Sequence, residues 1–123
     1  MPKAPPVFRV KIWNTGYADK VFSNFIRKRD GKCKRCGSTT KPLDNSHYWE
    51  RGRKGTRFDP RNCIALCREC HTIWEHQKNT EYMKWMIKWL GEEEYRALEL
   101  RARTMMKMRD AVLELMAWIK EAP

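Results

Sequence analysis

The segments NCIALCRECH, residues 62–71, and CKRCG, residues 33–37, carry the strongest structural signal in this chain. Each segment contains a Cys-x-x-Cys pair, and 30 residues separate Cys36 from Cys67. Four thiolates are the number and kind of ligand that a closed tetrahedral zinc site requires. The sequence therefore predicts one structural zinc, bound by Cys33, Cys36, Cys67 and Cys70.

The reading of these cysteines as metal ligands depends on the compartment. No apolar signal segment follows Met1, and nowhere do 18 uncharged apolar residues run together, so we expect a cytoplasmic protein with no membrane span. In a reducing compartment, paired Cys-x-x-Cys motifs bind metal far more often than they form disulfides. The fifth cysteine, Cys63, is predicted to be a small buried apolar residue.

The positive charge is confined to the cysteine-bearing part of the chain. The net charge is +11 over 123 residues; residues 1–79 hold 18 basic and 7 acidic side chains, and residues 80–123 hold 8 of each. A polyanion is expected to meet the first part, and nucleic acid is the favoured partner. The alternative is a solvated basic surface that aids solubility.

The order of elements predicts an α+β fold. Apolar spacing predicts a helix over 18–29, followed by a strand over 46–49, a strand over 63–66 and a helix over 68–77. This is a ββα unit with two cysteine knuckles around one zinc. Three segments result: an N-terminal arm (1–17), the zinc-bound module (18–79) and a helical C-terminal extension (80–123).

Basic residues and glycines alternate between the predicted strands. This pattern predicts a mobile cationic loop that contacts phosphates. The predicted DNA-binding residues are Arg51, Arg53, Lys54, Arg57 and, just beyond the loop, Arg61.

The C-terminal extension contains two predicted helices. Thr80 is expected to cap the first, and Gly91 ends it. The second, over 92–121, carries an apolar seam with alternating steps of three and four residues, broken at Arg109. Since such a helix would span about 45 Å, it either folds back in two pieces on the preceding helix or packs against a second subunit as a homodimer.

Polar residues of three predicted elements are expected to converge. His71 and Glu75 lie one helical turn apart, where an imidazole and a carboxylate can share a divalent ion. His47 lies in the first strand, and Asn62 precedes the second. The alternative for His71 is an incidental helix residue, since four cysteines already saturate a zinc.

At these residues the chain resembles a known family. His47, Asn62 and His71, with the two cysteine pairs around them, match the His-Asn-His signature of the zinc-bound HNH (His-Me finger, ββα-metal) endonucleases. The segments 29–33, 46–48, 56–63 and 82–92 are similar to the phage Rap/NinG recombination nuclease family. That likeness extends from about residue 22 to residue 122.

The resemblance implies a metal-dependent endonuclease that hydrolyses DNA. His47 would be the general base, Asn62 would orient the loop that carries His47, and His71 would bind a catalytic Mg²⁺ or Mn²⁺. The cysteines would hold structural zinc only. The substrate would be branched DNA, such as Holliday junctions and D-loops, in the cytosol of a bacterium that hosts a phage or prophage.

One residue departs from the pattern of this resemblance. Many HNH enzymes carry Asp or His directly before the base as a metal ligand, whereas this chain has Ser46 there. Glu75 is the first candidate for the missing ligand because of its spacing from His71, with Asp44 or His76 as alternatives.

A second class of protein also fits the charge and the cysteines. A zinc-containing module that binds nucleic acid without cutting it would share both features. The two classes differ at His47, Asn62 and His71, because a module that only binds has no need of all three.

Overall fold

A two-stranded antiparallel ribbon lies at the centre of the computed structural model, which describes residues 11–121. Strand β1 is Leu43–His47 and β2 is Cys63–Cys67, with His47 opposite Cys63. The strand predicted over 46–49 was wrong by about three residues. The reason is Asn62, whose backbone and side-chain oxygens accept the N–H groups of Tyr48 and Trp49 outside the ribbon.

Helix α1, Thr15–Asp30, confirms the helix predicted over 18–29. The Asn14 side chain accepts a hydrogen bond from the Tyr17 N–H at 2.8 Å and caps its start. Gly31, with φ of 65°, ends it in the left-handed conformation that favours glycine. Because α1 starts at Thr15, it takes in the end of the predicted arm; residues 1–10 lie outside the described part.

Helix α1 also covers the outer edge of β2. The Cys63 carbonyl accepts from the Arg29 guanidinium at 2.6 Å, and the Ala65 N–H donates to the Asp30 carboxylate at 2.8 Å. The Ala65 carbonyl accepts from the Lys34 N–H in the first cysteine knuckle. With these edge groups satisfied, β2 is entirely buried, and β1 has the open edge.

The segment between the strands is ordered, which corrects the prediction of a mobile loop. It contains the short helix α2, Lys54–Arg57, and a 3-10 turn, Pro60–Asn62. Gly55 and Thr56 are buried. A Cβ on Gly55 would lie 2.6 Å from the Arg101 carbonyl oxygen, so glycine is needed for this close approach.

The predicted helix over 68–77 is present, with an irregular second half. Helix α3, Arg68–Thr72, continues into a π-helical turn, Ile73–Gln77. Helix α4, Asn79–Leu90, starts one residue before Thr80, so Thr80 is not its cap. Gly91, with φ of 84°, ends α4 as predicted.

The C-terminal helix predicted over 92–121 is folded back in two pieces, the first of the two alternatives left open by its length. Helix α5 is Glu92–Arg103 and α6 is Met108–Ile119, and Thr104 between them is extended. Met105, a predicted seam residue, is 96% exposed. The seam breaks because its halves pack in different places: α5 against α4, and α6 against α1.

Two apolar clusters result. The first surrounds the second cysteine pair and is built from β2, α3, α4 and α5; its large members are Ile64, Leu66, Trp74, Tyr82, Met86 and Leu98. The second joins α1 to α6 through Phe22, Ile26, Phe58, Val112 and Leu115. Helices α4 and α5 therefore pack on the first cluster of the module, and α6 packs on the second.

Candidate metal centre and cleft

The four predicted zinc ligands come together at one end of the ribbon. Their sulfur atoms all lie within 4.8 Å of one another, and Cys36 Sγ is 3.9 Å from Cys67 Sγ. A tetrahedral zinc with bonds of about 2.3 Å requires sulfur atoms about 3.8 Å apart. The cluster therefore fits zinc. Among residues 11–121 it is the one group of three or more His, Cys, Asp or Glu side chains with such closely spaced ligand atoms.

Local geometry positions each pair of sulfurs. In the first knuckle the Cys36 N–H points to Cys33 Sγ at 3.5 Å, and Gly37 closes the turn with φ of 78°. In the second, Cys67 ends β2 and Cys70 lies in the first turn of α3. The ribbon and helix thus meet at the metal centre.

The ionisation of the thiols differs between positions. Burial opposes ionisation of Cys33, but hydrogen bonds from the backbone of Cys36, Cys67 and Arg35 lower its pKa to about 6. Burial raises the pKa of Cys70 to about 12. A bound dication would favour the thiolate at all four positions. Cys63 is fully buried away from the centre, and burial raises its pKa far above the usual value, so it is an inert core residue as predicted.

A second polar site is an open cleft of about 480 Å³ along the edge of β1. Helix α1 forms one wall and α3 with its π-helical turn forms the other. It brings together His47, His71 and Glu75 of the predicted set. The lining also includes Ser23, Arg27, Asp44, Asn45, Glu50, Arg51 and Arg68.

His47 has one engaged and one free ring nitrogen. Its Nε2 lies 2.9 Å from the Arg57 carbonyl oxygen, which can only accept a hydrogen bond, so Nε2 carries the proton. Its Nδ1 has no hydrogen-bond partner among the described residues. Burial lowers the pKa of His47 to about 4. The ring is therefore neutral at pH 7, with the Nδ1 lone pair free for a proton.

Asn62 lies beneath the cleft and is fully buried. Its Nδ2 donates to the Trp49 carbonyl at 2.9 Å and to the Thr56 carbonyl at 3.1 Å, and its Oδ1 accepts from the Trp49 N–H at 2.8 Å. Asn62 thereby holds Trp49 and Thr56, the two ends of the 49–56 segment, close to each other. Arg57, whose carbonyl holds His47, follows directly.

His71 lies between two carboxylates. Its Nδ1 is 3.1 Å from Asp44 Oδ2, and its Nε2 is 3.6 Å from Glu75 Oε2. One ring nitrogen can bind only one ion, so the two carboxylates cannot have the same role. Glu75 lies beside Nε2 and could share an ion with it, whereas Asp44 is hydrogen-bonded to the opposite nitrogen, Nδ1. Carboxylate and imidazole suit a hard dication that keeps several waters as further ligands.

Ser46 lies away from this arrangement, and His76 lies at its outer side, beside Glu75. Ser46 is 1% exposed, and its hydroxyl is hydrogen-bonded to the Tyr82 hydroxyl at 2.8 Å in the core. His76 is largely exposed and approaches Glu75 at 3.6 Å. Neither lines the cleft.

The predicted DNA-binding residues have different surroundings. Of the five, only Arg51 lines the cleft. Arg57 forms a double ion pair with Asp19, Arg61 pairs with Asp59 and Glu94, and Arg53 lies over the Trp49 ring. Lys54 is the first residue of α2 and lines a separate pocket together with Trp118.

Sequence reasoning missed two cleft arginines. Arg27 projects from α1 and contacts Asn24, and Arg68 pairs with Asp44 at 2.9 Å. Spacing alone offers no signal that α1 and α3 face the same cleft.

No helix among the described residues has the length and apolar character needed to cross a membrane. No curated protein and no solved structure matches the chain significantly. A family model described as "Bacteriophage Lambda NinG protein" matches residues 7–122, nearly the whole sequence. Its extent agrees with the resemblance seen at the cysteine knuckles and at His47, and the chain therefore belongs to the phage lambda NinG family.

Proposed function

We propose that this protein is a metal-dependent DNA endonuclease of the HNH type. The observation that carries the proposal is His47: a neutral imidazole in a cleft, with Nε2 held by the Arg57 carbonyl and Nδ1 unpaired. Two further features support it, namely the His71–Glu75 pair and three arginines in the same cleft.

His47 would act as the general base. A water oxygen attacks phosphorus, its proton passes to Nδ1 of His47, and the bond from phosphorus to the leaving oxygen breaks. The hydrogen bond to the Arg57 carbonyl holds the ring by Nε2 and leaves Nδ1 available to accept the proton. Asn62 acts as a positioning residue, because it holds the segment that ends at Arg57.

His71 Nε2 and Glu75 would hold the catalytic dication, Mg²⁺ or Mn²⁺. When bound, such an ion acts as a Lewis acid that stabilises charge on the phosphate and on the leaving oxygen. Asp44 would orient the His71 ring by accepting a hydrogen bond from Nδ1–H. Buried Ser46 is not available, so Glu75 takes the place of the ligand that HNH enzymes usually carry before the base.

Arg27, Arg51 and Arg68 would bind phosphates of the DNA backbone. They come from α1, from the segment after β1 and from α3, so they surround the cleft on different sides. Charge-assisted hydrogen bonds from guanidinium groups suit phosphate oxygens.

The substrate is proposed to be branched DNA of the kind formed during recombination, including Holliday junctions and D-loops. This part rests on the NinG family and on the basic module. A protein working on phage DNA would act in the cytoplasm of the bacterial host.

The test is cleavage of a labelled four-way junction and of a linear duplex with Mg²⁺ or Mn²⁺. We expect His47→Ala to lower the cleavage rate by about 10² to 10⁴, because a general base contributes on that scale. Its zinc content and DNA affinity should stay close to wild type, since a base acts in the transition state.

Two outcomes separate the enzyme from a module that only binds DNA. Wild-type cleavage that His47→Ala loses supports the enzyme, and the ratio of junction to duplex product measures branch preference. Binding by both proteins with steep salt dependence and no cleavage by either would instead identify a zinc-built binding module.

A further inference from the structure

Helix α4 carries an aromatic and basic surface that the proposed chemistry does not use. Trp85 and Trp89 lie one turn apart, with ring centroids 5.3 Å apart. Lys84 and Lys88, both exposed, each precede one of them, so a row of lysines runs beside the row of tryptophans. Trp89 remains 38% exposed.

The tryptophan pair is anchored to the core. Trp85 contacts Trp74, whose ring stacks on Tyr82 at 4.7 Å. Tyr82 is buried and hydrogen-bonded to Ser46. The aromatic series therefore runs from the core beneath β1 to the surface at Trp89 and holds the outer rings in place.

Arg29 fixes Trp89 from the other side. Its guanidinium lies 5.4 Å from the Trp89 ring centroid and is hydrogen-bonded to the Pro60 and Cys63 carbonyls. These contacts place Trp89 at the outer edge of β2, whereas the cleft follows the edge of β1. The surface is thus separate from the cleft.

We propose that Trp85 and Trp89, with Lys84 and Lys88, form a binding surface for single-stranded DNA, whose unpaired bases stack on the exposed ring of Trp89. Aromatic rings accept any base, and adjacent cations bind the strand backbone. The inference rests on DNA being the substrate, and it deepens that function: a D-loop contains a displaced strand with unpaired bases, whereas a linear duplex does not.

A second copy of this chain is a less suitable occupant. A two-fold interface would place this basic patch against the same patch of the other copy, with like charges on both sides. A polyanion with planar bases complements both the positive charge of the lysines and the flat rings of the tryptophans.

The experiment measures binding of a fluorescein-labelled oligothymidylate and of a duplex hairpin without added Mg²⁺ or Mn²⁺. Trp89→Leu should bind oligothymidylate roughly tenfold more weakly, the scale of one stacked base, and the hairpin about as wild type does. Trp89→Phe should restore much of the affinity. Tyr17→Leu, which removes an exposed aromatic ring from α1, is the matched control and should bind both probes normally.

A second variant does not depend on the packing of Trp89. Lys84→Gln combined with Lys88→Gln alters only exposed side chains, and it should weaken oligothymidylate binding and reduce its salt dependence. Unchanged affinity in both variants would overturn the proposal. An equal loss for both probes in Trp89→Leu would also overturn it, because it would indicate a structural role.

Three further outcomes distinguish a dimer interface, a failure of DNA binding and a failure of the stacking inference alone. If Trp89→Leu changes only the sedimentation of a dimer, the surface joins two copies of the chain. If wild type binds neither probe, DNA binding itself fails. If wild type cleaves DNA while the α4 variants bind oligothymidylate normally, only the stacking inference fails.

Discussion

At the scale of single residues, burial sets the protonation state of His47, and the Arg57 carbonyl sets its tautomer. The usual histidine pKa of about 6.5 would make the ring a partly protonated base near neutrality. Burial lowers the pKa to about 4, so that the neutral form predominates at pH 7. Sequence alone identifies the imidazole, but its tautomer follows from the Arg57 carbonyl.

The lowered pKa makes stability depend on pH. Above about pH 6.5 both folded and unfolded chains carry neutral His47; below it the unfolded chain takes up a proton first. Stability is therefore lost as pH falls from about 6.5 to about 4, by at most about 3 kcal/mol from this group.

The measurement is urea unfolding of wild type and His47→Gln with zinc present, between about pH 7 and about pH 5. The variant should lose less stability on acidification. Protonation of the cysteines affects both proteins alike, so it cancels when their free energies of unfolding are compared. Parallel curves for the two proteins would contradict a depressed pKa at His47.

Glu75 is the second residue with a specific expectation. Glu75→Gln should raise the Mg²⁺ or Mn²⁺ concentration needed for half-maximal cleavage at least about tenfold, because a charged ligand is lost. His76→Gln is the matched control, since His76 contacts Glu75 but points to solvent. Full activity of Glu75→Gln at low metal would remove Glu75 from the proposed site.

At the scale of elements, the segment between the strands supports the cleft through its packing. Arg57 holds His47 by its carbonyl and Asp19 by its guanidinium, so it joins β1 to α1. Arg101 of α5 donates to the Gly55 carbonyl at 2.6 Å. Three of the five residues predicted to contact phosphate instead contact other side chains of the protein: Arg53 lies over Trp49, Arg57 pairs with Asp19 and Arg61 pairs with Asp59.

The close approach of α2 to α5 gives a prediction about two glycines. Gly55→Ala should destabilise the protein by about 1 to 3 kcal/mol, because the new methyl would meet the backbone oxygen of Arg101. Gly52→Ala, where no atom lies within 4 Å of the new Cβ, should be nearly neutral. Thermal unfolding of both variants provides the comparison, and equal melting temperatures would refute the tight contact.

At the scale of the whole molecule, the metal centre joins the ribbon to the helices. Cys67 and Cys70 belong to the same apolar cluster as Tyr82, Met86 and Leu98 of the C-terminal helices. A homodimer through the C-terminal helix stays a prediction. It would use exposed Leu100 and Met105, since Val112 and Met116 are buried.

Loss of one zinc ligand should therefore unfold the molecule. Cys67→Ser should lose metal and cooperative unfolding, because binding of structural zinc contributes directly to folding. Cys63→Ala, a buried cysteine outside the cluster, should retain the metal and the fold. Metal content and far-UV circular dichroism are the readouts; a folded, zinc-free Cys67→Ser protein would exclude a structural role.

Features with a local physical cause are predictable from the amino-acid sequence. Ligand spacing predicts the four-cysteine cluster, apolar periodicity predicts α1, and glycines mark the ends of α1 and α4, where both have positive φ. Three other features became visible only in the folded chain: the position of the break between α5 and α6, the ordering of the cationic segment, and the place of Arg27 and Arg68 in the cleft beside His47. These depend on contacts between residues far apart in the chain, and neither periodicity nor spacing records such contacts.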